Sequence, residues 1–366
     1  MHIYTIIDIA SKGQFIECPY LIPKEASMNL TNKNLLSTQD WTKDELEYII
    51  ELAGKFKEKK RTGNLQGKNI ALLFFNPSLR TRSSFEVAMN QLGGNALVIQ
   101  PGKDAWPIEI KEGAIMDGEA EEHLKEATRV LSSFCDALAV RAFPAFQNWH
   151  EDKKDLVLHS IARWSQKPVI NMETIIHPLQ ELALMMTITA HLQNLSTKKF
   201  LLTWTYHPRP LNTAVANSAA LISTRFGMNL TILRPEGYDL DDDFLNIARA
   251  NAACYGKTIA ITDTIEEAYK GADFVYAKSW GNLKYFGKWD EEKKIREHLK
   301  HFIVDSSKMK HTNNAFFSHC LPLRRNVKAT DEVIDSKYSL IYEEAENRLH
   351  TTKALLNAIL EDSHEN

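Results

Sequence analysis

Short apolar runs alternate with helical stripes from about residue 28 onward. The runs at 69–75 (NIALLFF), 95–99 (NALVI), 136–142 (DALAVRA) and 168–172 (PVINM) predict buried strands. Helical patterns at 83–92, 121–134 and, less regularly, 154–164 separate them. A long helical stretch over 178–194 follows. A second series then begins with 200–206 (FLLTWTY), 229–234 (NLTILR), 258–262 (TIAIT), 273–278 (DFVYAK) and 315–320 (AFFSHC). An amphipathic helix from about residue 343 closes the chain. Near the start, Thr42 and Glu45 have capping-box spacing ahead of a stripe of Leu46, Ile49, Ile50, Leu52 and Phe56.

Strands that are apolar throughout, with helices between them, predict parallel sheets covered on both faces. Two such series predict an α/β protein: two doubly wound parallel-sheet domains joined by long interdomain helices, with the active site in the cleft. The expected boundaries are 28–180 and 181–342, with the terminal helix 343–366 packing back onto the first domain. Residues 1–27 lack the pattern. They read as an N-terminal extension, upstream sequence or a loose arm before Met28, with an ordered strand as the alternative. The acidic run 239–243 (DLDDD) suits a helix N-terminus.

Composition changes this picture little. A length of 366 residues fits two domains of about 150 residues each. A net charge of −3 supplies no basic stripe for nucleic acid, so any anion must be held by a local cluster. Cys18, Cys135, Cys254 and Cys320 lie far apart with no CxxC pair, against a zinc ribbon or a disulfide scaffold and in favour of a reducing, cytoplasmic setting. No apolar run reaches the roughly 18–20 residues of a membrane span. The first residues lack the basic start of a signal peptide, and Asp8 interrupts their apolar stretch.

Ligands of parallel α/β sheets bind beyond the carboxyl ends of the strands. After 69–75 comes Asn76-Pro77-Ser78-Leu79-Arg80-Thr81-Arg82, leading into a helix. Hydroxyls, guanidinium forks and a helix N-terminus suit phosphate, although a Ser-capped helix with two surface arginines is the alternative. It is not a Walker A loop. Arg141 stands near the end of the run 136–142. Glu173 and then His177-Pro178-Leu179-Gln180 follow 168–172, placing a His and a Gln on one helix face. A His there also serves as a cap or a packing residue. In the second half, Lys278-Ser279-Trp280-Gly281 and His319-Cys320-Leu321-Pro322-Leu323-Arg324-Arg325 occupy strand ends. Cys320 beside paired arginines is either an activated thiol or a small contact residue, and the lack of an evident base favours contact. Trp106 and Trp204 line a cleft or pack, with packing favoured.

These motifs together resemble the transcarbamylases. Ser78-Leu79-Arg80-Thr81-Arg82 is similar to their carbamoyl-phosphate motif Ser-Thr-Arg-Thr-Arg. His177-Pro178-Leu179-Gln180 resembles His-Pro-x-Gln. His319-Cys320-Leu321-Pro322 and Glu346-Asn347-Arg348 match in order. The ornithine-type Asp-x-x-x-Ser-Met-Gly segment is replaced by Tyr276-Ala277-Lys278-Ser279-Trp280-Gly281. A Lys there repels a free α-ammonium and suits an acylated one. Together with Gln100–Pro107 and Thr203–Pro208, the resemblance is to family members whose acceptor is N-acetyl-L-ornithine.

The resemblance implies carbamoyl transfer from carbamoyl phosphate in arginine biosynthesis, with no metal or organic cofactor. It also implies a homotrimer with shared active sites. Ser78, Leu79, Arg80, Thr81, Arg141, His177, Gln180, Cys320, Leu321 and Arg348 would bind carbamoyl phosphate, with Trp106 supplied by a neighbouring subunit. Arg141, His177, Cys320 and Arg348 would serve catalysis. Glu121, Glu173, Lys278, Leu321 and Lys328 would meet the acceptor. Lys328 matches a lysine that the family carboxylates (N6-carboxylysine); an ordinary surface lysine is the alternative. Glu121 matches an acidic loop residue that is Pro in succinyl-specific relatives, which favours acetyl over succinyl. N-succinylornithine or ornithine as acceptor, or a non-catalytic carbamoyl-phosphate-binding homologue, are the competing readings.

Overall fold

The computed structural model describes residues 29–59 and 62–361. The expectation for residues 1–27 lies outside them. The described chain forms two compact units. Residues 29–145, 150–186 and 346–361 make the first; 146–149 and 187–345 make the second. The chain passes between them at residues 146–149 and within the helices Pro178–His191 and Ile341–Leu360.

The first unit is built on a four-stranded parallel sheet. Its strands are β1 (Asn69–Phe74), β2 (Asn95–Ile99), β5 (Ala137–Arg141) and β6 (Val169–Glu173), in the order β2-β1-β5-β6. β1, β5 and β6 are buried along nearly their whole length, which is why their sequences are continuously apolar rather than alternating. Leu73, Leu138, Val140, Leu158, Ile161 and Val169 share one core cluster with Cys135, whose thiol is pushed up by burial. Thr42 and Glu45 close the expected capping box on the helix Lys43–Lys57.

Two helix starts differ from the sequence expectation. The helix expected from residue 83 begins at Arg80, because the Ser78 hydroxyl accepts from the Thr81 N–H at 3.2 Å and caps one turn earlier. Arg80 and Arg82 thereby enter its first turn. At its far end Gly93 adopts φ +83°, and a Cβ on Gly94 would lie 2.9 Å from the Lys68 carbonyl oxygen. The helix expected from residue 121 begins at Leu124. His123 caps it, and β4 (Glu122–His123) pairs in parallel with β3 (Ile108–Glu109).

The second unit has a five-stranded parallel sheet. β7 (Lys199–Trp204), β8 (Asn229–Leu233), β9 (Ala260–Thr262), β10 (Phe274–Lys278) and β11 (Phe316–Ser318) are ordered β11-β10-β7-β8-β9. Asp241 caps the helix Asp242–Ala253, so the acidic run is a helix start. Trp204 is fully buried and donates its indole N–H to the Trp280 carbonyl at 2.9 Å, as packing predicts. A buried Arg296–Glu292 pair (2.6 Å) takes the Tyr238 hydroxyl at 2.9 Å and donates to the Pro208 carbonyl at 3.2 Å. Removing one member of such a pair costs about 3–5 kcal/mol, since the other stays buried and uncompensated. The pair therefore anchors the loop that leaves β7. No helix among the described residues is long and apolar enough to cross a membrane.

Each strand order contains one reversal. In the first sheet the chain runs outward from β1 to β2, then returns to β5 on the other side of β1. In the second it runs from β7 through β9, then returns to β10 beside β7. The carboxyl ends flanking these two reversals are where such sheets hold ligands.

Candidate active site

At the first reversal the structure gathers most of the sequence-predicted donors. The loop Asn76–Leu79 leaves β1, and Arg141 is the last residue of β5, paired in register with Phe74. Phe74, Pro77, Ser78, Leu79, Arg82 and Gln100 line a pocket of about 270 Å³ there. Arg82 also pairs with Glu86 one turn on, at 3.2 Å. The Arg348 guanidinium ties the first turn of the helix after this loop to the helix Pro178–His191. Its Nη1 donates to Gln180 Oε1 at 2.6 Å and its Nη2 to Thr81 Oγ1 at 3.2 Å. Gln180 and Thr81 are thus held by one planar fork, which fixes both.

Arg141 and Glu173 face one another across β5 and β6. Arg141 Nη1 donates to Glu173 Oε2, and His177 Nε2 lies 3.7 Å from that oxygen. Arg141 is 7% exposed, its guanidinium lies 4.5 Å from the centre of the Phe143 ring, and its Nε has no partner. A buried guanidinium nitrogen with an unused donor is a ready site for an oxygen acceptor. The turn bearing Glu173 and His177 is locked from below: the Thr174 hydroxyl donates to Asp155 Oδ2 at 2.5 Å, and Asn171 Nδ2 donates to Thr174 at 3.0 Å. Burial pushes the Asp155 carboxyl up to about 7. Its sequence context gave no sign of this, because its burial comes only from the tertiary fold.

At the second reversal the other predicted residues meet. Lys278 ends β10, and its Nζ lies 3.5 Å from Cys320 Sγ. Leu321 holds φ +54°, a left-handed conformation that costs a non-glycine residue on the order of 1–3 kcal/mol. Its N–H donates to His319 Nδ1 at 2.8 Å, while His319 Nε2 meets Lys328 Nζ at 3.1 Å. Lys328 is 2% exposed, so it is not an ordinary surface lysine. Burial above all, then the Lys278 cation and more weakly that of Arg324, brings its ammonium down to about 7.

His207, which the sequence offers only as part of the segment Thr203–Pro208 and with no role of its own, belongs to this cluster. Arg324 Nε donates to its Nε2 at 3.1 Å, and its Nδ1 accepts from the Arg209 N–H at 3.0 Å and lies 2.8 Å from the Arg209 carbonyl. Burial, with Lys328, Arg324 and Lys278 nearby, holds its ring down to about 4. It stands between Tyr206 and Pro208, and only the loop geometry reveals its partner. The expectation of paired arginines beside Cys320 is revised. Arg325 is bound instead to Asp331 (2.7 Å) and Asp335 (2.6 Å), and the cation beside the thiol is Lys278.

Two predicted residues stand apart from both groups. Trp106 is 55% exposed and donates its indole N–H to Glu122 Oε2 at 2.9 Å. Glu121, beside it in sequence, is also exposed. Among the described residues there is no group of three or more His, Cys, Asp or Glu that could hold a metal ion.

Comparison with known proteins agrees with this division. The carbamoyl-phosphate-binding domain of the aspartate/ornithine carbamoyltransferases matches residues 33–190, and their aspartate/ornithine-binding domain matches 208–359. N-acetylornithine carbamoyltransferase of Xanthomonas campestris is 54% identical over 90% of this chain and 98% of its own length. N-succinylornithine carbamoyltransferase of Bacteroides fragilis is 38% identical over 81% of this chain and 89% of its own. A crystal structure of acetylornithine transcarbamylase complexed with acetylcitrulline superposes with a TM-score of 0.88 at 54% identity, covering 90% of this chain and all of that one. The chain belongs to the aspartate/ornithine carbamoyltransferase family.

Proposed function

We propose that the protein transfers the carbamoyl group of carbamoyl phosphate to the δ-amine of N-acetyl-L-ornithine, giving N-acetyl-L-citrulline and phosphate in arginine biosynthesis. The observation that carries the acceptor is the cluster at the end of β10. Lys278 and Arg324 suit a carboxylate and are hostile to a free α-ammonium. The 54% identity to N-acetylornithine carbamoyltransferases favours the same acceptor.

In this reading Ser78, Leu79, Arg80 and Thr81 hold the phosphate, aided by the N–H groups of the helix start at Arg80. Arg348 keeps Thr81 and Gln180 in place. The uncharged δ-amine attacks the carbonyl carbon, a C–N bond forms, and negative charge develops on the carbonyl oxygen. Arg141 and His177 stabilise that oxygen. The intermediate collapses by breaking the C–O bond to phosphate, and the amine loses a proton. The rest of the acceleration comes from orienting the two substrates. Glu173, Lys278, Cys320 and Leu321 contact the reactants. Trp106 is held by Glu122 and exposed, which suits donation to a neighbouring subunit of a trimer. No step requires a metal or an organic cofactor.

Lys328 is carboxylated in this reading, which replaces a buried cation by an anion among cations. Glu121 excludes the longer succinyl group by charge.

An endpoint assay for ureido product tests the proposal, with carbamoyl phosphate and N-acetylornithine, N-succinylornithine, ornithine or aspartate in parallel. Product with N-acetylornithine alone is expected. Product mainly with another acceptor overturns the acceptor half, and none with any acceptor from folded protein favours a binding homologue. Glu121→Pro removes a carboxylate whose repulsion of a second carboxylate is worth about 1 kcal/mol in water and more where solvent is excluded. Preference for the succinyl acceptor should rise on the order of tenfold, since 1.4 kcal/mol is one decade. An unchanged ratio refutes the role of this residue.

A further inference from the structure

We propose that Glu344 is a positioning residue that holds Lys278 and Cys320 together at the acceptor site. The proposal deepens the functional reading and rests on it for the identity of the acceptor. Glu344 lies near the start of the helix Ile341–Leu360 and is completely buried. Its two carboxylate oxygens accept from two different strands. Tyr276 of β10 donates its hydroxyl to Oε1 at 2.9 Å, and Ser318 of β11 donates to Oε2. Both donors are completely buried.

Tyr276 and Ser318 are register partners, and theirs is the last pair of the β10–β11 ladder. Two residues further along each chain stand Lys278 and Cys320, whose Nζ and Sγ are 3.5 Å apart. Side chains two apart on a strand share a face, so Lys278 projects on the same side of β10 as Tyr276. Ser318 is the last residue of β11, and the pairing register of the two strands ends with it. β11 is only three residues long, and its outer side is held at Phe317 alone, by the Tyr338 carbonyl and the Leu340 N–H, so neither neighbour reaches past Ser318. The Glu344 bridge is therefore the final clamp before the reactive ends diverge. A carboxylate suits this task because it accepts from two hydroxyls at once through charge-assisted bonds. An amide of the same shape replaces one acceptor by a donor.

The test compares the full-length enzyme with Glu344→Gln and Tyr276→Phe. Two readouts are taken: the KM of each substrate, and the rate at which iodoacetamide alkylates Cys320, followed by mass spectrometry of its peptide. Losing one such hydrogen bond should raise the N-acetylornithine KM about fivefold in Glu344→Gln and about twofold in Tyr276→Phe. The carbamoyl phosphate KM should stay within about twofold, a split that general loosening of the fold would not produce. Cys320, 8% exposed in the parent, should be alkylated several times faster in both variants. Unchanged alkylation in folded variants, or the two KM values rising together, overturns the proposal. If the parent enzyme uses no acceptor, the functional reading fails while the alkylation rates still decide the role of Glu344. If Glu344→Gln does not fold, Tyr276→Phe carries the test, since it deletes one oxygen and keeps the ring.

Discussion

Arg141→Ala should lower kcat by about 10²–10³ while leaving the acceptor KM within a few-fold, the loss expected when one preorganised donor to a developing oxyanion is removed. The expectation rests on where Arg141 sits. It is the last residue of β5, beside the strand-order reversal, and it is almost wholly buried. Glu173 and the Phe143 ring fix its guanidinium, yet its Nε has no partner. In such an environment a charge–charge interaction exceeds its value in water several-fold, and no solvent must reorganise as charge moves. Arg141→Lys keeps the charge but loses the planar fork, and should recover only a small part of the rate. The deletion also strands Glu173, at a cost of about 3–5 kcal/mol. Thermal unfolding of the same samples separates that loss from the catalytic one. Near-normal turnover by folded Arg141→Ala removes it from the oxyanion role.

The sequence made β1, β5, β6 and β7 legible because these strands are buried along nearly their whole length. β2 spans 95–99 as its apolar run indicates, and β1, β5 and β7 deviate from theirs by a residue or two. Strand-end chemistry was equally legible, since Arg141, Lys278 and Cys320 stand at the ends of apolar runs and Ser78 three residues beyond one. What escaped is what periodicity does not encode. The two-residue strands β3 and β4 are too short to show a period. The cap at Ser78 moved a helix start by three residues because a hydroxyl, not an apolar stripe, decides where the first turn closes. Arg324 and Arg325 are adjacent in sequence, yet one bonds His207 and the other pairs with Asp331 and Asp335. The burial of Lys328 and Asp155 depends on tertiary packing, and a charged residue in a polar stretch reads as surface until the fold encloses it.

Lys328 gives the other large expected effect, and its sign follows from two independent features. Burial and the neighbouring cations bring its ammonium down to about 7, so the amine is mostly protonated below that pH and mostly neutral above it. The hydrogen bonds agree. His319 Nδ1 accepts from the Leu321 N–H, so a neutral ring carries its proton on Nε2, aimed at Lys328 Nζ 3.1 Å away. An ammonium has no lone pair to receive that proton, whereas a free amine does. A neutral amine is also the form that adds carbon dioxide: a C–N bond forms, a proton is released, and the product is an anionic carbamate. Among Lys278, Arg324 and His319 an anion gains what a cation loses. Supplying [13C]bicarbonate should therefore give a carbamate resonance that grows as pH rises through about 7 and vanishes in Lys328→Arg, whose guanidinium stays protonated. Lys328→Ala should raise the N-acetylornithine KM about tenfold or more, the 1.5–3 kcal/mol of a lost hydrogen bond to a charged group, with the carbamoyl phosphate KM little changed. A parent enzyme that takes up no label at any pH above 7, yet is fully active, has Lys328 acting as a free amine. In that case Lys328→Arg should disturb acceptor binding as strongly as Lys328→Ala, because neither side chain then presents a lone pair to His319.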